Sequence, residues 1–202
     1  MATLIQDQKL LYHLTALDNI ESILKNGLMP RQHIENFADV AEEDIVDFRN
    51  EKGISHLIPF HFFKNTPFAG VVQKAHSDKE FIYITIHRDL AQKNNFKIFP
   101  THPKHMNPLK LYDYKEGFEL INWELMNKRD YNDYECKEVC MAECVAPYKN
   151  IPAKAFHSII VQSEKTKEYI ENLCKEIFDT KCSNVKFFID IEPYSFVRKT
   201  DG

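Results

Sequence analysis

Along this chain short apolar runs alternate with polar, turn-rich breaks, and the runs follow no single period. "LLYHLT" (10–15) has the length and character of a short buried strand. Beyond it Leu17, Ile20, Ile23 and Leu24 recur at helical spacing, Lys25 suits a last turn, and Gly27 is placed as a C-cap. Thr15 and Asp18, three residues apart, predict a capping box at the head of that helix. "ISHLIPFHFF" (54–63) predicts a strand, "NTPFAG" a turn with Pro67 pre-setting the backbone, and "GVVQKAH" a helical turn. "FIYITI" (81–86), β-branched and aromatic, predicts a buried strand.

The stretch from 92 to 114 is polar and punctuated by Pro, which predicts a long loop of the kind that carries function. "FELINWELM" fits an amphipathic helix or a strand. "MAECVAP" predicts a short strand ended by Pro147, and "HSIIVQS" another. A helix is predicted over 164–178, with Ile170, Leu173, Cys174, Ile177 and Phe178 on one face, and a last strand over "VKFFIDI" (185–191). Strands fall in every third of the chain without regular βαβ alternation. The expected class is therefore α+β, built on a largely antiparallel sheet with short flanking helices.

Composition narrows the class rather than the fold. At 202 residues with 44% hydrophobic positions, residues 1–202 are expected to form a single domain with a substantial core. No run approaches the ~20 apolar residues of a membrane span. "MATLIQDQKLLYH" has neither a basic leader nor a small-residue cleavage site, so a cytoplasmic location is expected. Five Cys without a secretory signal argue against a disulfide framework. Cys136, Cys140 and Cys144 would share a face if their stretch were helical, but a metal site needs a fourth ligand and usually closer pairs. Buried free thiols are expected.

The net charge of −4 weighs against a generic nucleic-acid binder, yet the charge is unevenly spread. Residues 35–51 hold seven acids and one Arg; residues 88–115 hold six Lys or Arg and two Asp, joined by His102 and His105. Phe96, Phe99, Tyr112 and Tyr114 are interleaved with those bases. That mixture suits a single strand, with cations on phosphate and rings on bases; it equally suits a solvated basic loop whose aromatics turn into the core.

No glycine-rich dinucleotide or phosphate loop, zincin helix or nucleophile elbow is present. What remains is a set of polar residues on or beside apolar strands. Glu143, between Ala142 and Cys144, is a costly carboxylate to bury; it either faces water on an alternating strand or projects into a cleft. Arg49, the one cation of the acidic segment, either pairs with Asp44 or Asp47 or serves as a fixed guanidinium for phosphate. His13 is either a structural histidine or a ligand contact.

In this order, "YHLTALDNIESILKNGL", "DFRNEKGISHLIPFHFFKNTPFAG" and "CKEVCMAECVAPYKNIPAKAFHSIIV" resemble the DarT-type ADP-ribosyltransferase toxins, which use NAD⁺ to modify bases in single-stranded DNA. The likeness covers most of residues 10–162. It departs from the family where a second Arg is usual beside the first, since Phe48 and Asn50 flank Arg49, and at the strand-end turn, which here is "KNTPFAG". The resemblance implies an ADP-ribosyltransferase-like fold of mixed, largely antiparallel sheets around an NAD⁺ cleft. It implies that His13, Thr15, Asn19 and Gly27 line the NAD⁺ side, that Arg49 fixes the phosphates, and that Glu143 is the catalytic carboxylate. A substrate-reading turn is expected within 127–139, and no metal is required. Lys104, His105, Lys110 and Tyr112 become candidate contacts to the strand. The implied role is the toxin of a toxin–antitoxin pair acting on single-stranded DNA, thymine being the family's usual target, with a macrodomain antitoxin that removes ADP-ribose. Transfer to RNA or protein, and a non-catalytic nucleic-acid- or metal-binding module, are the alternatives.

Overall fold

The computed structural model of the chain describes residues 3–34, 37, 38, 40–178 and 186–197. In chain order its strands are β1 (Leu10–Ala16), β2 (Ile58–Phe60), β3 (Phe81–His87), β4 (Lys97–Phe99), β5 (Tyr112–Asp113), β6 (Glu143–Ala146), β7 (Ser158–Val161) and β8 (Phe188–Ile191). The helices are α1 (Ile20–Asn26), α2 (Glu43–Glu51), α3 (Pro67–Ala75), α4 (Arg88–Lys93), α5 (Tyr114–Leu120), α6 (Trp123–Lys128), α7 (Tyr134–Val139) and α8 (Glu164–Ile177). One sheet has the order β1-β3-β7-β8, antiparallel except for the parallel β7–β8 pair; the other, β2-β6-β4-β5, is antiparallel throughout. The α+β class and largely antiparallel pairing expected from the sequence are what the chain adopts. No described helix is long and apolar enough to cross a membrane.

Strand alternation explains the apolar runs. From the first sheet Leu11, Ile82, Ile84, Ile159 and Val161 enter the main core, where they meet Phe60, Ile98, Cys144 and Ala146 of the second. The intervening residues Tyr12, Leu14, Phe81, Tyr83 and Ile160 pack on the opposite face beneath Ala69 and Val72 of α3. A sheet covered on both faces needs apolar residues at consecutive positions, which is why "FIYITI" shows no alternation. Thr85 is accommodated because its hydroxyl bonds Ser158 on the neighbouring strand, 2.9 Å away.

The two sheets meet at β1 and β2. Tyr12 and His61 exchange backbone hydrogen bonds of 2.9 and 2.8 Å, and His13 Nδ1 lies 2.8 Å from the Pro59 carbonyl. Since a carbonyl only accepts, Nδ1 carries the proton. Buried Arg88 reinforces this joint from behind, donating to the carbonyls of Gln6, Leu10 and Phe62.

Several local expectations are corrected. The capping box does not form: Thr15 lies within β1, Asp18 pairs with Lys79, and Thr15 Oγ1 instead accepts from Asn19 Nδ2 at 3.1 Å. Gly27 does cap α1, with φ of 84°. The strand predicted over 54–63 shortens to three residues, because the chain must turn to bring His61 onto β1. "NTPFAG" begins a helix rather than a turn, with Thr66 capping α3 and Pro67 in its first turn, where a missing N–H costs nothing. The loop predicted over 92–114 contains β4 and β5, and "FELINWELM" splits between α5 and α6.

The predicted helix over 164–178 is α8; the last strand appears as β8, and Val185 lies outside the described residues. Cys136 sits on α7, Cys140 just beyond it and Cys144 on β6, so they share no helix face, and all three are buried free thiols. Phe96 and Phe99 are core residues and not available for stacking.

Burial beside the cleft holds His13 neutral, with its pKa lowered to about 4. Unfolded, the same ring titrates near its ordinary value of ~6.5. Between these values the unfolded chain binds a proton that the folded chain refuses, so stability falls as pH drops through about 6.5 and levels off below about 4. Urea unfolding across that window is expected to lose up to ~3 kcal/mol through this group, and His13→Gln is expected to flatten the slope.

Candidate active site

Glu143 opens β6, opposite Phe99 of β4, and alternation turns it away from Cys144 and the main core. It shares its face with Val145, Phe99 and Leu57, which form a small apolar cluster of their own. A carboxylate there needs a partner, and Arg49 from the last turn of α2 supplies one. Arg49 Nη1 lies 2.9 and 3.2 Å from the two carboxylate oxygens, and Nη2 reaches the Leu57 carbonyl at 3.4 Å. Only 12% of the Arg49 side chain and 10% of the Glu143 side chain remain exposed. Neither solvent-facing alternative survives: Glu143 does not look into water, and Asp44 pairs with Lys104 rather than Arg49.

The pair stands in a cleft between β1, α1, α2 and the β2–β6 edge. His13, Thr15, Asn19, Gly27, Arg49 and Glu143 all line it, so the residues singled out from sequence converge although up to 130 positions apart. His13 is a neutral ring whose Nε2, with the proton on Nδ1, is an acceptor. Asn19 spends its carboxamide on protein: Nδ2 donates to the Thr15 hydroxyl and the Ala38 carbonyl, each at 3.1 Å, and Oδ1 accepts from the Ala38 N–H at 2.7 Å. It thereby ties the segment facing β1 onto the cleft. Gly27 allows close approach, since a Cβ there would lie 2.7 Å from the Ile151 carbonyl oxygen.

Two histidines lining the cleft were not predicted to do so. His61 donates from Nδ1 to the Ala142 carbonyl at 3.1 Å, and burial lowers its pKa. Its sequence signal was present, a polar residue inside "PFHFF". His102 also lines the cleft; the sequence marked it only as a member of the basic 88–115 segment, and nothing there separates it from its neighbours as a cleft residue.

The segment expected to read substrate is fastened at Arg129, Tyr131 and Asp133 and exposes Tyr134. Arg129, left-handed at φ 51°, holds its guanidinium 4.8 Å from the Phe63 ring centre, and Asp133 caps α7 by accepting from the Cys136 N–H. Tyr131 bonds the Asn65 carbonyl at 3.0 Å, and Tyr134 is 67% exposed. Lys104, His105, Lys110 and Tyr112 do not line the cleft. Lys104 reaches Asp44 of α2, Lys110 lies 4.2 Å from the Tyr112 ring centre and 3.7 Å from Glu116, and His105 bonds Glu138.

The family model described as "ssDNA thymidine ADP-ribosyltransferase, DarT" matches residues 12–192. No curated protein matches the sequence significantly. Among solved structures, Thermus sp. 2.9 DarT in complex with ADP-ribosylated ssDNA superposes with a TM-score of 0.78 at 18% identity, over 94% of this chain and 96% of that one. The same protein in complex with NAD⁺ gives 0.72 at 16% identity, over 95% and 98%. Thermosipho africanus DarTG in complex with ADP-ribose gives 0.68 at 19% identity, over 94% of this chain and 51% of that one. These structures share the fold, and the family model reaches from β1 to just beyond β8. The chain belongs to the DarT family of ssDNA thymidine ADP-ribosyltransferases.

Proposed function

We propose that the cleft binds NAD⁺ and that Glu143 and Arg49 direct transfer of its ADP-ribose to thymine in single-stranded DNA. The observation that carries this is the buried Arg49–Glu143 pair in a cleft also lined by His13 and Thr15. Breaking the bond between nicotinamide and ribose C1′ builds positive charge on the ribose, and a nearby carboxylate stabilises that charge as in glycoside chemistry. Nicotinamide leaves with the bonding electrons, a base nitrogen closes the new bond to C1′, and that nitrogen's proton passes to Glu143. Arg49 is planar and permanently charged, suited to hold the pyrophosphate while keeping Glu143 in place. Neutral His13, an acceptor at Nε2, suits a ribose hydroxyl. Asn19 acts by holding the wall at Ala38, and Gly27 by letting the chain pass close to Ile151.

The strand enters over residues 127–139, where Tyr131 and Tyr134 present rings to it. Lys104 and Lys110 would track phosphate; their acidic partners are exposed, and exposed pairs are exchanged at little cost. The protein acts in the cytoplasm as the toxin of a pair, with a macrodomain antitoxin that removes ADP-ribose. Family membership and the match to DarTG, of which this chain spans about half, support that pairing.

Incubation with NAD⁺ and a mixed-sequence single-stranded oligonucleotide is expected to give an ADP-ribose adduct by mass spectrometry. Glu143→Gln, which keeps a neutral partner for Arg49, is expected to slow its formation by ~10²–10³ while the fold is retained. An adduct on RNA and none on DNA would overturn the assignment of acceptor. Arg49→Lys, losing the planar fork, is expected to weaken NAD⁺ turnover severely; unchanged kinetics would remove Arg49 from the site. Charge reversal at Lys104 and at Lys110 is expected to lower the salt dependence of strand binding by about one unit of slope each.

A further inference from the structure

At the edge of the cleft three metal-ligating side chains to which the transfer chemistry gives no step come together: His102, which lines it, His105 and Glu138. His102 and His105 bracket the 3₁₀ turn Pro103–His105 that follows β4. Three residues per turn bring positions i and i+3 onto one side, so both imidazoles face the same way. Opposite them is Glu138 of α7, and the backbone already fastens the two elements, the His102 N–H donating to the Glu138 carbonyl at 3.1 Å.

We infer that these three side chains form a binding site for a divalent transition-metal ion of the Zn²⁺ type. His105 Nδ1 lies 2.7 Å from Glu138 Oε2, His102 Nδ1 lies 3.4 Å from His105 Nδ1, and His102 Nδ1 lies 4.0 Å from Glu138 Oε2. A point equidistant from the three atoms, in their plane, is about 2 Å from each, the length of Zn–N and Zn–O bonds; side-chain rotation that widens the 2.7 Å contact and closes the 4.0 Å gap would bring the three ligands toward a tetrahedral face. Without an ion only the His105–Glu138 contact is a good hydrogen bond, and His102 Nδ1 is left at long range from another ring nitrogen. Two imidazoles and one carboxylate favour zinc over the oxygen-preferring Mg²⁺ and Ca²⁺, and three protein ligands leave a position for water. His102 and Glu138 are buried, which pre-organises two donors; His105 is 44% exposed in its side chain, which gives an ion its way in.

The site joins the turn that follows β4 to α7, and one of its ligands, His102, also lines the cleft that holds Glu143. A bound ion would clamp turn and helix together without entering the transfer reaction, and binding does not depend on the proposed transfer. Calorimetric titration of the chelator-treated full chain with Zn²⁺ alone is expected to show one saturable equivalent and a rise in melting temperature reversed by chelator. Co²⁺ is expected to give the visible absorption of a four-coordinate site. His105→Ala, at the exposed ligand, and Glu138→Gln, which keeps the side chain's shape, are each expected to weaken binding by at least about tenfold with the circular dichroism of the parent. Absence of saturable Zn²⁺ binding to the parent chain, or parental affinity in whichever of the two variants folds, would overturn the assignment.

Discussion

The contact between Arg49 and Glu143 carries more of this structure than its two hydrogen bonds imply. Glu143 lies among apolar side chains of the second sheet, where an ionised carboxylate is sustainable only beside a cation that shares its burial. The cation arrives on α2, a helix with no buried residue of its own. Its apolar residues are only half-buried, so a hydrophobic face alone does not place it. It is placed by Arg49 reaching Glu143 and Leu57, by Asp44 meeting Lys104, and by the half-buried Phe48. Removing either partner of a buried pair leaves an uncompensated charge, a cost of ~3–5 kcal/mol. The pair therefore fixes a wall of the cleft as well as the charge within it.

The surrounding electrostatics keep that charge undiluted. His13 and His61 flank the cleft, and burial lowers the pKa of both, so neither adds a proton near neutral pH. Each ring also gives its Nδ1 proton to a backbone carbonyl, which fixes its orientation. Two neutral rings of set tautomer beside one ion pair make a site whose field is decided by the fold rather than by solvent.

Much of this was legible in the residues. Glycine at 27, the helical spacing of 17–24 and the dense run at 81–86 are local signals, and each produced the element it predicts. The errors arose where tertiary pairing overrode local pattern. Lys97–Phe99 is a central strand because β6 and β5 need a partner between them, and nothing in its polar, Pro-rich neighbourhood says so. The Thr15–Asp18 spacing looks like a cap, but β1 runs on through Ala16 and takes Thr15 with it. For the site, burying an acid in an apolar strand drew attention to Glu143, while the partner of Arg49 was sought among its near acids, Asp44 and Asp47, and is found 94 residues away in Glu143. His102 stood out only as one more base of the 88–115 segment, with no signal that it turns into the cleft.

Asn19 reaches across the cleft and bonds both the N–H and the carbonyl of Ala38, as a neighbouring strand would. It recognises main chain, and main chain is the same whatever residue occupies position 38. The wall at position 38 can thus change its side chain, and with it the shape offered to a bound molecule, without losing its anchorage. Variation is inexpensive on that wall and costly at Asn19, so a single carboxamide divides a part of the site free to diverge from one that must stay fixed.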